Sequence, residues 1–511
     1  MACPASRDSI ENEAECEDFV IHILPDLPRE GWLKDTVIYI PPELPPAEWP
    51  ECCIYRVPKK LRKVKEEAYT PKLVSIGPFH YGREELRDMQ MHKLRYFMDF
   101  CRNRTSESQK SLLKIIEEDE KKIRHCYSEE FRNSSIDFVK MILLDAIFII
   151  ELFLKTNQKI QKKEEECDYI LRKPLLGNGI LHDLILLENQ LPFFVLEKLY
   201  RSTCNDNHLS FLDLFCDYFT HYKWANYSFK SEEEKQKAKE KVKQQVKEKA
   251  KPKAEQKAES EKRKAESEEE RQQVNHFTDL VRLLYCPSNM EDRSSEEAGR
   301  PDTRFCATKL DDAGFNFKGV EDHSRPLLDI KFPWGSGRLP RLCFSCCLPC
   351  LICCPCLVYL FRVTLRLGGS LEVTQLVIDY ETQVIFRNLM ALEQCHYPSE
   401  AYICSYVWLL DRLINTEHDV DLLVKKKVIS NNLGNNAAVA TLINELSNQI
   451  VATTSTYNGI ARSLNVHYED SLPHLLATLK RQYFPNIFRG TATIIGLIVL
   501  GFTLWNFIKD L

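Results

Sequence analysis

Seven cysteines lie within the fourteen residues from 343 to 356, which read CFSCCLPCLICCPC. Thiolates bind zinc when four of them surround the ion tetrahedrally, and structural zinc sites commonly use two short-spaced pairs joined by polar turns. Here the CxxC spacings overlap inside an apolar run, a pattern that argues against a metal site. S-acylation fits better, because cysteines beside apolar and basic residues near a membrane are the usual substrates. The candidate S-acylation residues are Cys343, Cys346, Cys347, Cys350, Cys353, Cys354 and Cys356.

The uncharged stretch around these cysteines is long enough to span a membrane. It runs from Leu342 to Phe361 between two arginines, but Pro349 and Pro355 would break a membrane-spanning helix. A surface-lying or re-entrant acylated segment is therefore favoured. A hydrophobic loop of reduced thiols remains open as the plainer alternative.

Acidic residues within apolar segments are the second set that could perform chemistry. Asp145 and Glu151 lie in an apolar helical pattern, and Glu188 precedes Asn189 and Gln190. A buried carboxyl group with a shifted pKa can transfer protons, so a hydrolase or transferase of unrecognised type is one hypothesis. Buried acids more often cap helices or pair with arginines. We therefore assign no catalytic residue.

Local signatures of common enzymes are absent from the sequence. It contains no GxSxG, HExxH or Walker loop, and no glycine-rich dinucleotide turn follows a strand. His80, His92, His182 and His276 have no metal-ligand spacing between them. The sequence thus predicts neither a cofactor nor a metal, and it favours a protein without enzymatic activity.

The elements that would position these residues are mainly helices. The apolar segment from Ile136 to Leu154 predicts a core helix, since Lys140, Asp145 and Glu151 would be costly inside a bilayer. Leu181 to Tyr200 predicts a helix pair divided at Pro192. Alternation from Leu371 to Asp379 predicts a strand. The expected fold is a mainly α, multi-helix globular domain with a small β element, plus a C-terminal transmembrane helix.

Changes in composition divide the chain. We predict a proline-rich N-terminal segment at 1–51, a helical domain at 52–490 and a transmembrane helix at 491–508. Two inserts interrupt the domain, the apolar cysteine-rich stretch at 342–361 and a charged segment at 231–271. Of the 41 residues in the charged segment 26 are charged, so it is expected to be a solvated helix or disordered.

The C-terminal segment predicts where the protein resides. Eighteen uncharged residues run from Thr491 to Ile508, enough for one membrane span, and basic residues precede them. The positive-inside tendency then places the bulk of the chain in the cytosol, with a single pass at the C-terminus. The acidic N-terminus lacks a signal peptide, and the net charge of −5 indicates no nucleic-acid partner.

Five stretches in this order resemble the plant DUF247 family, also called UPF0481. They are CIYRVPKKLRKVKEEAYTPKLVSIGPFHYG (53–82), DAIFIIELF (145–153), DLILLENQLPFFVLEKLY (183–200), ATKLDDAGFNFK (307–318) and TQVIFRNLMALEQC (382–395). The resemblance implies a membrane-associated protein without an assigned enzymatic activity. It also implies a recognition role, since some members are implicated in grass self-incompatibility. This chain departs from the family pattern in both inserts, and residues 371–379 lack the family's paired prolines.

Two functional hypotheses follow from the sequence. The first is a membrane-anchored recognition or scaffold protein whose helical domain binds an unknown protein. The second is an enzyme that uses buried acids near Glu188.

Overall fold

Amphipathic helices supply most of the fold, because apolar residues recur at helical spacing through most of the domain. The computed structural model describes residues 48–102, 106–162, 168–203, 209–222, seven residues between 233 and 244, 274–287, 302–322, 325–332, 369–448, 450–451, 455–469, 482 and 487–509. All elements below lie in one unit, Pro50–Leu511. The predicted mainly helical fold is confirmed.

The helices follow one another along the chain with short connections in most places. They are α1 (Lys59–Arg62), α2 (Arg87–Arg102), α3 (Ser106–His125), α4 (Ser135–Lys162), α5 (Pro174–Leu184), α6 (Phe193–Thr203), α7 (Phe211–His221), α8 (Phe277–Tyr285), α9 (Ala307–Asp312), α10 (Thr382–His396), α11 (Tyr402–Leu413), α12 (Glu417–Lys425), α13 (Asn436–Leu446), α14 (Asn458–Glu469) and α15 (Ile487–Lys509). Single 3₁₀ turns lie at Glu66–Ala68, Glu84–Leu86 and Pro398–Glu400.

The core surrounds α4, whose apolar residues are buried on nearly every side. Helices α2, α3, α6 and α7 pack against it. A second group of packed helices consists of α10 with α8, α11 and α13, which contact it. The predicted core helix is therefore confirmed and extends to Lys162.

The β element consists of two short parallel pairs. Strand β1 (Asn316–Val320) pairs with β2 (Ser370–Thr374), and β3 (Leu376–Ile378) pairs with β4 (Ile429–Asn431). The predicted strand at 371–379 is thus present, but it is divided at Gln375 between two partners. The N–H of Gln375 donates to Val320 O and that of Leu376 to Val428 O, so the change of partner occurs at this residue.

The prediction for Leu181–Tyr200 was right about the division and wrong about its first half. Helix α5 ends at Leu184, and the residues up to Pro192 form a buried irregular loop. The Gln190 side-chain amide donates to Leu184 O at 2.6 Å and Leu186 O at 2.7 Å. These bonds use carbonyl groups that a longer helix would need, so the helix stops there.

Part of the charged insert contacts the helical domain. The seven described residues between 233 and 244 are helical. Lys243 Nζ lies 2.6 Å from Asp213 Oδ1, and Lys239 pairs with Asp217, both acids being on α7. This part of the insert is consequently docked on α7. The cysteine-rich insert lies outside the described residues.

The predicted C-terminal helix is present as α15. Across the residues that the structure describes, no helix has the length and apolar character needed to cross a membrane. The transmembrane part of the prediction is therefore not supported.

Candidate functional site

The candidate acids gather around Lys72–Gly77, a segment without regular structure that enters the interior at Leu73. Residues Val74 to Gly77 are buried and lie in neither a helix nor a strand. Backbone N–H and C=O groups removed from water need other partners. Side chains from α2, α4, α5 and the 185–192 loop supply them.

Asp183, near the end of α5, binds the first half of this segment. Its Oδ1 accepts the N–H of Lys72 at 2.9 Å, and its Oδ2 accepts those of Leu73 at 2.6 Å and Val74 at 2.8 Å. Burial raises the pKa of Asp183 to about 6, against the opposing effect of these three donors. At neutral pH the group is ionised, and one carboxylate binds three successive N–H groups.

Asn189 joins the same segment to the 185–192 loop. Its Oδ1 accepts the N–H of Ile76 at 2.7 Å, and its Nδ2 donates to Val74 O at 3.0 Å and Asp183 O at 2.9 Å. The side chain therefore uses both its acceptor and its donors on backbone groups.

A buried ion pair between Lys93 of α2 and Asp145 of α4 supplies the remaining partners of the Lys72–Gly77 segment. Lys93 Nζ lies 2.5 Å from Asp145 Oδ1 and also donates to Ser75 O. Asp145 Oδ2 accepts the N–H of Gly77 at 2.9 Å. Burial raises the pKa of Asp145, while Lys93 opposes that effect.

Gly77 is required by this geometry. Its φ of +70° is unfavourable for other residues, and an added Cβ would lie 2.5 Å from Gln190 O. The segment therefore approaches the loop at a distance that only glycine allows.

Glu188 lies beside this arrangement between two arginines and His80, and burial lowers the pKa of His80. Glu188 Oε2 lies 3.1 Å from Arg56 Nη1 and 3.2 Å from His80 Nε2, and it pairs with Arg62. Its Oε1 accepts the N–H of Val57 at 2.8 Å. Burial raises the pKa of Glu188, but the bonds from His80 and Arg62, with the Arg62 charge and the Val57 N–H, outweigh it and lower the pKa to about 2.

This arrangement suits structural support better than proton transfer. The Glu188 side chain is 0% exposed and fully ionised near neutral pH. A general acid or base works best with a pKa near the working pH. Asp145 and Glu188 each have their own cationic partners, so they are not an acid pair sharing a proton. Glu151, the third predicted acid, is half-buried on α4.

A second buried ion pair holds the other helical group together. Arg282 Nε of α8 lies 3.0 Å from Glu393 Oε1 of α10. Glu393 accepts the N–H groups of Ile403 and Cys404, both at 2.9 Å, at the start of α11. Acidic groups at a helix N-terminus stabilise that end of the helix. Three helices thus meet at Glu393.

Asn388 of α10 connects the two groups. Its Oδ1 accepts the N–H of Leu187 at 2.9 Å, and its Nδ2 donates to Ala68 O at 2.8 Å. The 185–192 loop and the N-terminal part of the domain are both bound to α10 by this one side chain.

The described residues contain no arrangement of side chains that could form a metal site. No group of three His, Cys, Asp or Glu side chains there is placed to bind an ion. His276 is buried and its Nε2–H donates to Cys53 O at 3.0 Å, and desolvation lowers its pKa to about 4. The seven candidate S-acylation cysteines lie outside the described residues and stay a prediction.

Sequence reasoning picked out Glu188, Asn189, Gln190 and Asp145 but missed Asp183, Lys93 and the Arg282–Glu393 pair. A signal was available for two of them. Lys93 and Asp183 fall on buried positions of otherwise apolar helical patterns. A charge at such a position needs a buried partner.

We expect the Glu188 cluster to control stability at acid pH. The folded pKa of about 2 is below the ordinary 4.5, so the unfolded state binds more protons between these values and stability falls as the pH is lowered through them. The loss is about 3 kcal/mol. Urea unfolding of the full-length protein at a series of pH values measures it.

Two variants isolate the contribution of Glu188 to the pH dependence of stability. Glu188→Gln should be less stable than the wild type at neutral pH, and its stability should fall less below pH 4.5. Glu66→Gln is the control, because Glu66 also pairs with Arg62 but is 75% exposed. Equal pH dependence in Glu188→Gln and the wild type would contradict the assignment.

Comparison with known proteins identifies the class of this mainly helical chain. The family model for DUF247, described as a plant protein of unknown function, matches residues 54–502. The chain belongs to the DUF247 family of plant proteins.

Two relatives come from Arabidopsis thaliana. The UPF0481 protein At3g47200 is 28% identical over 465 residues, which cover 87% of this chain and 83% of the relative. The putative UPF0481 protein At3g02645 is 33% identical over 141 residues, covering 28% of this chain and 25% of the relative. No solved structure matches the chain significantly.

Proposed function

We propose that this protein is a membrane-associated recognition module that binds another protein and has no enzymatic activity of its own. The observation that carries the membrane association is the apolar surface of α15. Eight large apolar side chains of this helix are each more than half exposed. They are Ile495, Ile498, Val499, Leu500, Phe502, Leu504, Trp505 and Phe507. An exposed apolar surface of this extent is typical of a helix that contacts lipid or a partner.

The state of the buried acids supports the absence of catalysis. Asp145, Asp183 and Glu188 are all occupied by backbone donors or cations. An enzyme using these acids would need one of them free to exchange a proton with substrate. Turnover of any substrate that is lost in Glu188→Gln would contradict this part of the proposal.

The proposed orientation of the protein at the membrane rests on the basic residues that precede the apolar part of α15. Lys480, Arg481 and Arg489 precede the apolar run. Basic residues beside a membrane segment favour the cytosolic side, so we propose that the helical domain is cytosolic.

We expect full-length protein to float with lipid vesicles in a density gradient and to stay with membranes through a carbonate wash. Deletion of Thr491–Leu511 should release most of it, because each buried Leu, Ile or Val contributes roughly a few tenths of a kcal/mol to insertion. Loss from the membrane in carbonate, with flotation retained, would instead indicate a helix lying at the surface.

The cysteine-rich insert provides the necessary control. A variant with all seven cysteines from Cys343 to Cys356 replaced by serine should float as the wild type does, while thioester-exchange labelling for acyl groups should disappear. If the truncated chain floats as well as the full chain when its cysteines are also replaced, α15 is not the membrane-binding element.

A further inference from the structure

Helix α2 has two apolar faces, and only one of them is buried. Met89, Tyr96 and Phe100 face the core. On the other side Met91, Leu94 and Met98 are 55%, 44% and 60% exposed. Their spacing of three and four residues places them on successive turns of one side of the helix. We call these three residues the Met91 stripe.

The stripe differs from other exposed apolar residues of the domain. Before α15, no other helix within the described ranges carries three exposed large apolar side chains. A spacing of three and four residues is the pattern with which one helix packs along another. Methionine adapts its shape to an incoming apolar surface. These features suit a helical partner.

Basic residues border the stripe. Arg87, Arg95 and Arg102 lie seven or eight positions apart, on the same exposed side of α2. Arg87 pairs with Glu84 at 2.9 Å and Arg102 with Asp99 at 3.2 Å, exposed contacts that contribute little. Within the described chain Arg95 contacts His92 Nδ1 at 3.3 Å and has no carboxylate partner.

The positive border continues beyond α2. Tyr169 stacks on His92 with ring centroids 4.7 Å apart, and Lys173 Nζ lies 4.0 Å from the centre of the Tyr169 ring. Tyr169 is itself half exposed. Asp88 is also exposed on this edge, seven residues before Arg95, but Arg95 and Lys173 outnumber it, so a partner helix on the stripe would meet a net positive edge.

The same charges disfavour a second copy of this chain. Two α2 helices packed antiparallel about Leu94 would bring Arg95 beside its equivalent and Arg87 beside Arg102 of the other copy, and only Asp88, near that same Arg102, would offset the repulsion. A parallel pair would also bring each arginine near its equivalent. Like charges at such positions are destabilising.

We propose that the Met91 stripe binds an acidic amphipathic helix of another protein. Apolar residues of that helix, spaced by three and four, pack on Met91, Leu94 and Met98, and a carboxylate pairs with Arg95. This inference rests on the proposed recognition function and specifies the chemistry of the partner.

Two synthetic helices test the proposal. Both are about 20 residues long, so that they are helical, with leucines spaced by three and four. The acidic peptide carries glutamate beside the leucines, and the basic peptide carries lysine at the same positions. Fluorescence anisotropy with full-length protein in lipid nanodiscs measures binding. We expect the acidic peptide to bind about tenfold more tightly at low salt, and this preference to shrink as salt screens the charges.

Substitutions on the exposed surface then locate the site. Leu94→Ser should weaken binding of the acidic peptide about tenfold, and Arg95→Glu should reverse the preference in favour of the basic peptide. Val451→Ser and Lys425→Glu are matched controls, because both residues are exposed and lie on other elements. They should leave binding unchanged.

Several results would overturn the proposal. Equal binding of both peptides, or none below about 1 mM, rejects an acidic helix as the partner. Binding that is unaffected by Leu94→Ser and Arg95→Glu places the site elsewhere. A wild-type dimer that Leu94→Ser converts to a monomer identifies a second copy as the occupant. Flotation of Leu94→Ser with vesicles is measured in a separate experiment. If the peptides do not bind but the protein still floats, only the proposed partner is rejected and the membrane association is not.

Discussion

Asp183→Ala is expected to lower the free energy of unfolding by about 3–5 kcal/mol, because each buried donor left without a partner costs about 1–3 kcal/mol. The variant removes the acceptor for the N–H groups of Lys72, Leu73 and Val74. Lys72 is exposed, so water can replace its bond, whereas Val74 is buried and has no such replacement. Urea unfolding of full-length protein in a non-ionic detergent, followed by circular dichroism, measures the loss.

Two further variants separate this role from a general effect of removing charge. Asp183→Asn keeps one acceptor oxygen and should lose less stability than Asp183→Ala. Asp88→Ala removes an exposed carboxylate from α2 and should change stability by no more than about 0.5 kcal/mol. If Asp183→Ala unfolds at the same urea concentration as Asp88→Ala, the carboxylate does not support the 72–77 segment.

Lys93→Met should be destabilising by a similar amount, about 3–5 kcal/mol, since it leaves the charge of Asp145 buried without its cation. The Lys93 and Asp145 side chains are 0% and 2% exposed, so water cannot take the place of the ammonium group. The variant also removes the donor to Ser75 O. The same urea measurement applies.

The double variant Lys93→Met with Asp145→Asn tests the cause. It removes the uncompensated charge but keeps an oxygen that can accept the N–H of Gly77. It should therefore be more stable than Lys93→Met alone. If the double variant is less stable than either single variant, the loss in Lys93→Met does not come from the unpaired charge of Asp145, and the two side chains stabilise the fold independently.

Helices with a clear apolar period could be predicted from the sequence. The nearly continuous apolar run at 136–154 predicted α4, and the alternation at 371–379 predicted a strand in the right place. These patterns are local, because each residue's preference depends on neighbours a few positions away. The family could also be recognised, since its motifs keep their order along the chain.

Contacts between distant residues could not be predicted in this way. Strand β1 was missed because its partner β2 lies 54 positions further along, and a short strand is stabilised by that partner. The LILL run in 184–187 has helical spacing, but the amides of Asn189 and Gln190 bind the carbonyl groups that would extend α5. Which backbone groups Asp183 binds depends on how Lys72–Gly77 crosses the interior, and nothing in that hexapeptide's sequence indicates it.

The bond from Asn388 to Ala68 has a consequence for synthesis of the protein on the ribosome. The two residues are 320 positions apart. At about 5–20 residues per second, roughly 15–65 s pass between the emergence of Ala68 and that of its partner. During this interval Ala68 lacks its bond to α10, although Asp145, Asp183, Glu188 and Asn189, which bind neighbouring residues of the N-terminal part, have already been synthesised. The attachment of this part of the domain to α10 is therefore among the last contacts to form during synthesis, and chains that terminate before α10 cannot form it.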